Sequence, residues 1–399
     1  MSPQLSVRSH GSLALLICVA ATLSLAVAMG VGRFAFTPLF PLMVRDGLLS
    51  QELGAWLAAS NYLGYLVGAL LAASVRLKPA MLLAVGLLCT VLVTASMGLT
   101  HSVWLWMVLR CVAGVMSAWT LVATSAWGLR WLAVMGRPQL AGIIYAGVGL
   151  GIAAAGLFCL WAATPDVSSA GMWVDLGLGA AVVASLSLVV SWKFHTPASL
   201  VVSDTPTPPL THSSALHTGH SLGLIVCYTL FGFGYILPAT YLPALARQLV
   251  DDPHVFGLAW PLFGAAAAVS TLIASWGLGH LSRIRIWACS QGLMALGVWL
   301  PSVWPSLISI SIAALLVGGT FMVITMIAMQ EARARSDGHS TALLGQMTAG
   351  FALGQLLGPV ASAGIGFFVT DYATALHYGL WVSALGLVGS AVYLWRHPS

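Results

Sequence analysis

GVGRFAFTPLFPLM, residues 30–43, sets one arginine inside an apolar stretch that runs from about residue 13 to 42. Only 25 of the 399 residues are Asp, Glu, Lys or Arg, and almost all of them stand at the ends of such stretches. Arg33 does not, and neither does Arg110, within WLWMVLRCVAGVMSAW at 104–119. In hydrocarbon a guanidinium is costly unless protein, water or a ligand offsets it, so a cation kept at that depth points to function.

The surrounding composition names the solvent. The chain is 59% hydrophobic and 6% charged, with mean hydropathy +0.95, whereas soluble domains carry roughly 25% charged residues. A polytopic membrane protein follows. A hydrocarbon core of about 30 Å takes about 20 helical residues. Dividing the chain at its charged or Pro/Ser/Thr-rich breaks predicts twelve spans, near 13–42, 53–74, 80–99, 103–127, 139–163, 171–192, 221–246, 255–278, 286–303, 306–329, 341–368 and 373–395. Runs this long without alternation exclude a transmembrane barrel, and backbone groups in lipid must be satisfied within helices. The predicted fold is all-α.

Basic residues orient the spans, because Lys and Arg stay on the cytoplasmic side. With the amino terminus inside, the inner segments hold Arg8, Arg76, Lys78, Arg130, Arg137, Lys193, Arg283, Arg285, Arg333, Arg335 and Arg396; the outer loops hold only Arg45 and Arg247. Both termini are therefore predicted to be cytoplasmic. The same scatter argues against nucleic-acid binding, which gathers basic groups on one face. Arg8 and the apolar run after it resemble a secretory signal, but cleavage would leave an odd number of spans against this alternation. Cys18, Cys89, Cys111, Cys159, Cys227 and Cys289 lack metal or redox spacing and read as small core residues. Trp104, Trp106, Trp161 and Trp173 lie at span ends, where tryptophan anchors to the interface.

The chain repeats itself at half its length. Gly30, Gly32 and Pro41 recur as Gly232, Gly234 and Pro243, an offset of 202; GIIYAGVGLG at 142–151 recurs as GQMTAGFALG at 345–354, an offset of 203. Two matches in one register predict two six-helix bundles, 1–192 and 221–399. Between them, 193–220 is rich in Pro, Ser, Thr and His and reads as a cytoplasmic linker, its His195, His212, His217 and His220 solvated rather than metal-binding. At these offsets Arg33 meets Tyr235, and Arg110 meets Ala314 when Gly114 is matched to Gly318. Architecture common to both halves does not need the charges, so they serve something asymmetric.

Spacing gathers candidates around them. At 1.5 Å per residue Arg33 lies about 15 Å deep and Arg110 about 10 Å deep from the outer ends of their helices. Thr37 is four residues from Arg33; Arg110, Gly114 and Ser117 form a stripe; Asn61 and Tyr65 share a face of the second span. The second half offers Tyr228, Tyr235, Thr240, Thr320, Thr325, Thr348 and Gln355. Gly30 and Gly32 beside Pro38 and Pro41 are expected to loosen the first helix where a ligand or water could satisfy its backbone. No acid is expected at mid-depth: Asp46, Glu52, Asp175, Asp251, Asp252 and Asp371 map outward, and Asp204, Glu331 and Asp337 inward. His377, near the outer start of the last span, is a protonatable group. Guanidinium grips carboxylate or phosphate, so the expected substrate site, Arg33, Arg110, Thr37, Asn61, Tyr65, Tyr235 and Gln355, is for an anion. The structural alternative is that the arginines snorkel outward, or pair with backbone carbonyls and a distant acid such as Asp175. No cofactor or metal site is expected.

Two parallel six-helix halves with substrate at their interface resemble a secondary transporter of the major facilitator superfamily. The resemblance covers the whole chain, and GVGRFAFTPLFPLM with GFGYILPATYLP at 232–243 is similar to the YbfB/YjiJ-like branch. It implies a cavity lined by helices 1, 4, 7 and 10, alternating access, and a monomer in the cell inner membrane. Arg110 with Gly114 resembles the fourth-helix motif associated with proton or substrate coupling. Gly350, Gly354, Gly358 and Pro359 resemble an antiporter motif, but in the eleventh helix rather than the fifth, and SVRLKP after the second helix lacks the acid of the usual gate. The expected function is transport of a small anionic organic solute, with a proton as candidate coupling ion, and not an enzyme. A membrane receptor or scaffold, or an intramembrane lipid-handling enzyme, are the alternatives; the first calls for large soluble loops and the second for motifs such as HExxH, GxSxG or paired mid-depth carboxylates, none of which the sequence contains.

Overall fold

The apolar stretches become helices in a computed structural model that describes residues 7–75, 77–162, 164, 166–194, 218–249, 257–335, 340–366 and 372–397. In order they are α1 (Val7–Leu25), a π-helical turn (Ala26–Val31), α2 (Phe36–Arg45), α3 (Gln51–Ser74), α4 (Pro79–Met97), α5 (Val103–Val134), α6 (Ala141–Ala162), α7 (Ser169–Lys193), α8 (Thr218–Leu249), α9 (Ala259–Gly277), α10 (Arg283–Val303), α11 (Leu307–Ala334), α12 (Ser340–Gly366) and α13 (Tyr372–Arg396). No strand occurs among the described residues. Eleven stretches of the described residues are long and apolar enough to cross a membrane, α1 through α2 counting as one; α12 stands where the remaining span is expected. The linker from 195 to 217, Arg76, Asp204, Asp251, Asp252, Asp337 and Asp371 lie outside the described residues, as do the side chains of Arg8, Glu52, His220, Thr240, Arg247 and Pro359.

Helix starts follow local chemistry. Ser50, Ser168, Ser282 and Ser306 cap α3, α7, α10 and α11, each accepting a hydrogen bond from the backbone N–H three residues on. Within spans that are apolar all round, small residues decide which faces meet. Glycines of the repeated block do this in both halves. A Cβ on Gly151 would lie 2.8 Å from Gly30 Cα, and one on Gly354 would lie 2.6 Å from Phe233 N, so α6 packs on the π turn as α12 packs on α8. α6 also carries Gly142, Gly149 and Gly156 on the face that meets α9, and α12 packs along α3.

The α6–α9 contact is backbone against backbone: a Cβ on Gly264 would lie 2.5 Å from Ala153 N and 2.6 Å from Gly149 O. Gly264→Val should therefore lower the melting temperature in detergent, by the equivalent of about 1–3 kcal/mol or more for overpacking. Gly292→Ala, inside α10 where an added Cβ meets nothing within 4 Å, should not lower it. Equal melting of both variants would show that the seam yields.

A second fastening holds the end of α2. Arg45 Nη2 donates to Val167 O at 2.9 Å and pairs with Asp46 at 2.8 Å, while Asp46 accepts the Ser169 N–H at 2.6 Å; the chain then reverses at Gly47, φ 70°. Burial works against ionisation of Asp46, but Ser169 and Arg45 together outweigh it and hold its carboxyl below the usual aspartate range. A depressed folded pKa stabilises fully above the unfolded value of about 3.9 and loses that contribution as pH falls through the folded value. Asp46→Asn should melt below wild type at pH 7, the gap closing as pH drops through and below 3.9 or so. A gap independent of pH would refute the ionic contribution.

Two sequence expectations need correction. Trp104 and Trp161 are exposed at span ends, but Trp106 and Trp173 are 1% exposed and are not interfacial anchors. Their indoles point inward, Trp106 Nε1 donating to Met97 O at 2.9 Å and Trp173 Nε1 to Met43 Sδ at 3.5 Å, because both lie on the packed faces of α5 and α7. Of the cysteines, Cys18, Cys159 and Cys227 are buried, Cys89 and Cys111 half-buried, and Cys289 exposed on α10, so it is no core residue. A side chain facing lipid need only be apolar.

Candidate functional site

The first span is not one helix, and the reason lies in its prolines. Pro38 has no N–H to give Phe34 O, so Thr37 N donates there instead, at 3.2 Å, and leaves Arg33 O without its usual partner. Upstream the ladder has widened, with Gly32 N on Val27 O at 2.8 Å and Phe34 N on Met29 O at 3.1 Å. The freed carbonyls turn toward α5. Arg110 Nη1 donates to Gly32 O at 3.1 Å, Arg110 Nη2 to Arg33 O at 3.0 Å, and Ser117 Oγ to Ala28 O at 2.8 Å. The expected stripe of Arg110, Gly114 and Ser117 is thus a splint for the broken helix. The backbone is satisfied by these side chains, not by the ligand or water that the sequence suggested.

Gly114 sets the spacing of the next layer. A Cβ there would stand 2.7 Å from Tyr65 N, so α5 and α3 touch at backbone distance, and Asn61 Nδ2 donates to Arg110 O at 2.9 Å. Tyr65, one turn along α3, lies under the other arginine, with Arg33 Cζ 3.8 Å from its ring centroid. Arg33 crosses to the second half of the chain, where its Nη2 donates to Gln355 Oε1 of α12. It is 2% exposed and Arg110 3%, so neither snorkels. The ion pairs of the described residues are Arg45–Asp46, Arg283–Glu331 and Arg335–Glu331; neither central arginine has an acid, and Asp175 is exposed away from them.

What remains unpaired is informative. Arg33 Nε and Nη1, Arg110 Nε, Asn61 Oδ1, Gln355 Nε2 and the hydroxyls of Tyr65 and Tyr235 are buried without a hydrogen-bond partner. Native interiors leave few such groups, and each asks for an explanation. Donors dominate, around a cation with no counter-charge. Tyr235 stands where the repeat puts Arg33, its ring stacked on Phe321 at 4.4 Å.

The structure thus brings together Arg33, Arg110, Asn61, Tyr65 and Gln355 by direct contact, with Tyr235 in the adjoining aromatic wall. Thr37 is half-buried and contributes its backbone N–H to Phe34 O; the kink removes the regular four-residue register with Arg33. Thr320, Thr325 and Thr348 bond back to Leu316, Phe321 and Leu344 carbonyls of their own helices. His377 Nδ1 lies 3.1 Å from Ser302 O, remote from the arginines. The residues missed by sequence reasoning are aromatic: Phe34, Phe321 and Phe351. The repeat held a signal for the last, since Phe351 stands against Val148 at the offset of 203.

Toward the Arg333 end a cavity of about 530 Å³ is lined by Leu129, Gln139, Ser275, Arg283, Gln330 and Arg333. At its rim Arg333 Nη1 donates to Ala126 O of α5 at 3.4 Å, and Glu331 bridges Arg283 and Arg335 at 2.7 and 2.8 Å.

From residue 25 to 394 the sequence matches the family described as the uncharacterised MFS-type transporter YbfB. No curated protein sequence matches it significantly. Among solved structures, the human organic anion transporter MFSD10 (TETRAN) superposes with a TM-score of 0.70 over 99% of this chain and 100% of that one, at 14% identity. That likeness establishes the major facilitator fold, an all-helical arrangement of two six-helix pseudo-repeats. The chain belongs to the YbfB family of major-facilitator transporters, multi-pass proteins of the membrane.

Proposed function

We propose that this protein is a secondary active carrier of a small organic anion, working by alternating access between halves 1–192 and 221–399 joined by the linker 193–220. The observation that carries the reading is Arg33: a buried cation without an acidic partner, held across the two halves by a neutral amide, with two nitrogens lacking acceptors. A permanent cation in low dielectric is stabilised most by a ligand that brings the missing charge. The closed arginine layer and the cavity at the Arg333 end correspond to a carrier sealed on its outer side, with a vestibule toward the cytoplasm and both termini on that side. The Arg333–Ala126 contact would part when that side opens.

A thermal-shift screen of the full chain in detergent tests the charge preference. Carboxylates should raise the melting temperature, and amines and neutral drugs should not. Stabilisation by amines alone would overturn the anion assignment while leaving the family intact.

A further inference from the structure

We propose that the transported solute is a monocarboxylate with a flat apolar body, and that its carboxylate takes the place now held by Gln355 Oε1 on Arg33. The proposal rests on the anion-carrier reading and narrows it.

The free edges come first. The layer holds two cations, but Arg110 has both Nη groups engaged on the Gly32 and Arg33 carbonyls, so only Arg33 offers an open guanidinium edge. One open edge grips one carboxylate; a second carboxylate would be buried without a partner of its own. The position of the carboxylate follows from guanidinium geometry. Both edges by which a guanidinium grips a carboxylate include Nη2, and Gln355 Oε1 holds one of the two N–H groups of that atom. A two-pronged anion that grips that edge displaces the oxygen. Displacement is favourable because a charge-assisted hydrogen bond is roughly twice as strong as one to a neutral amide. The amide that leaves has its own Nε2 without a partner, and on rotating it becomes a donor to the incoming anion. Gln355 is thus a neutral stand-in for the substrate in the empty carrier.

The body of the solute is specified by what surrounds the cation. Phe34 touches Arg33, at 5.4 Å from Cζ, and packs on Phe321 at 6.0 Å; Phe321 stacks with Tyr235; Phe351 lies 4.9 Å from Phe231 and 6.4 Å from Tyr65. These rings come from five different segments and form one continuous wall leading away from the guanidinium. Such a wall favours a planar apolar group over a hydrated polar one. Beside Phe34 a hollow of about 20 Å³ is lined by Trp260 and Phe263, so entry of a ring requires the walls to separate, as the halves do on opening.

Binding to the purified full chain, by thermal shift and titration calorimetry, decides the matter with benzoate, acetate, phthalate, benzamide and benzylamine. Benzoate should bind at least about tenfold tighter than acetate, as burying a ring requires, and tighter than phthalate; benzamide and benzylamine should not bind. Gln355→Glu, which supplies an internal carboxylate, should melt higher than wild type and lose benzoate binding. Gln355→Met removes both the competing oxygen and the Nε2 donor without adding charge, so benzoate should still bind, weakened by no more than about tenfold, the worth of one hydrogen bond. Should Gln355→Glu fail to fold, loss of benzoate binding in Gln355→Met overturns the proposal alone. Acetate or phthalate binding as tightly as benzoate, or benzoate binding to Gln355→Glu, would likewise defeat the proposal and spare the anion reading. Binding of benzylamine or benzamide in preference to every anion, or of none of the five compounds, would defeat both.

Discussion

Arg33→Ala should abolish anion uptake into proteoliposomes, while the protein still inserts in the membrane and melts closer to wild type than Arg110→Ala does. The expected loss is large because truncating one partner of a desolvated charge pair removes about 2–5 kcal/mol of binding, roughly 30-fold to several thousand-fold. Stability should suffer less than for Arg110. Arg33 has one hydrogen-bond acceptor, Gln355 Oε1, and leaves two nitrogens buried without partners, so alanine removes a desolvation penalty that offsets part of the lost contact with the Tyr65, Phe34 and Tyr62 rings. Arg33→Lys should recover part of the uptake, since an ammonium restores the charge but not the planar fork. Uptake by Arg33→Ala within about twofold of wild type, too small a change for a lost charge contact, would end the role assigned to this residue.

Arg110→Ala should show the opposite pattern, a marked fall in melting temperature. Two carbonyls of the broken first span, on Gly32 and Arg33, would lose their donors in a region without water, and the Phe36 ring, 4.7 Å from Arg110 Cζ, would lose its cation. Leaving a buried acceptor without its donor costs about 1–3 kcal/mol for each carbonyl. Lysine at 110 should recover less than half of the loss, because two carbonyls are served by two different nitrogens of the fork. The readouts are the melting temperature in detergent and, for the folded fraction, anion affinity. A protein that melts normally but no longer binds anions would mean that Arg110 touches the solute and is no splint. The two arginines, alike in depth and burial, are thus separated by which property each variant loses.

Much of this was legible in the amino-acid sequence. Segments near 103–127 and 171–192 correspond to α5 and α7 because helices in lipid are set by length and hydropathy alone. The GxxxAGxxLG blocks marked the α6 and α12 faces that meet α1 and α8, since glycine there has one packing use. Gln355 and Asn61 were picked out simply as polar residues at depth. Depth did not say which arginine was free.

Composition and period therefore determined that this chain spans a membrane, that it is duplicated, and that two cations lie inside it without acids. Only the tertiary structure decided that Arg110 is spent on backbone and Arg33 is not. The reason is that Pro38 releases the Arg33 carbonyl, and whether a freed carbonyl meets water, a ligand or a guanidinium depends on a helix 77 residues further along the chain, brought there by Gly114 packing on α3.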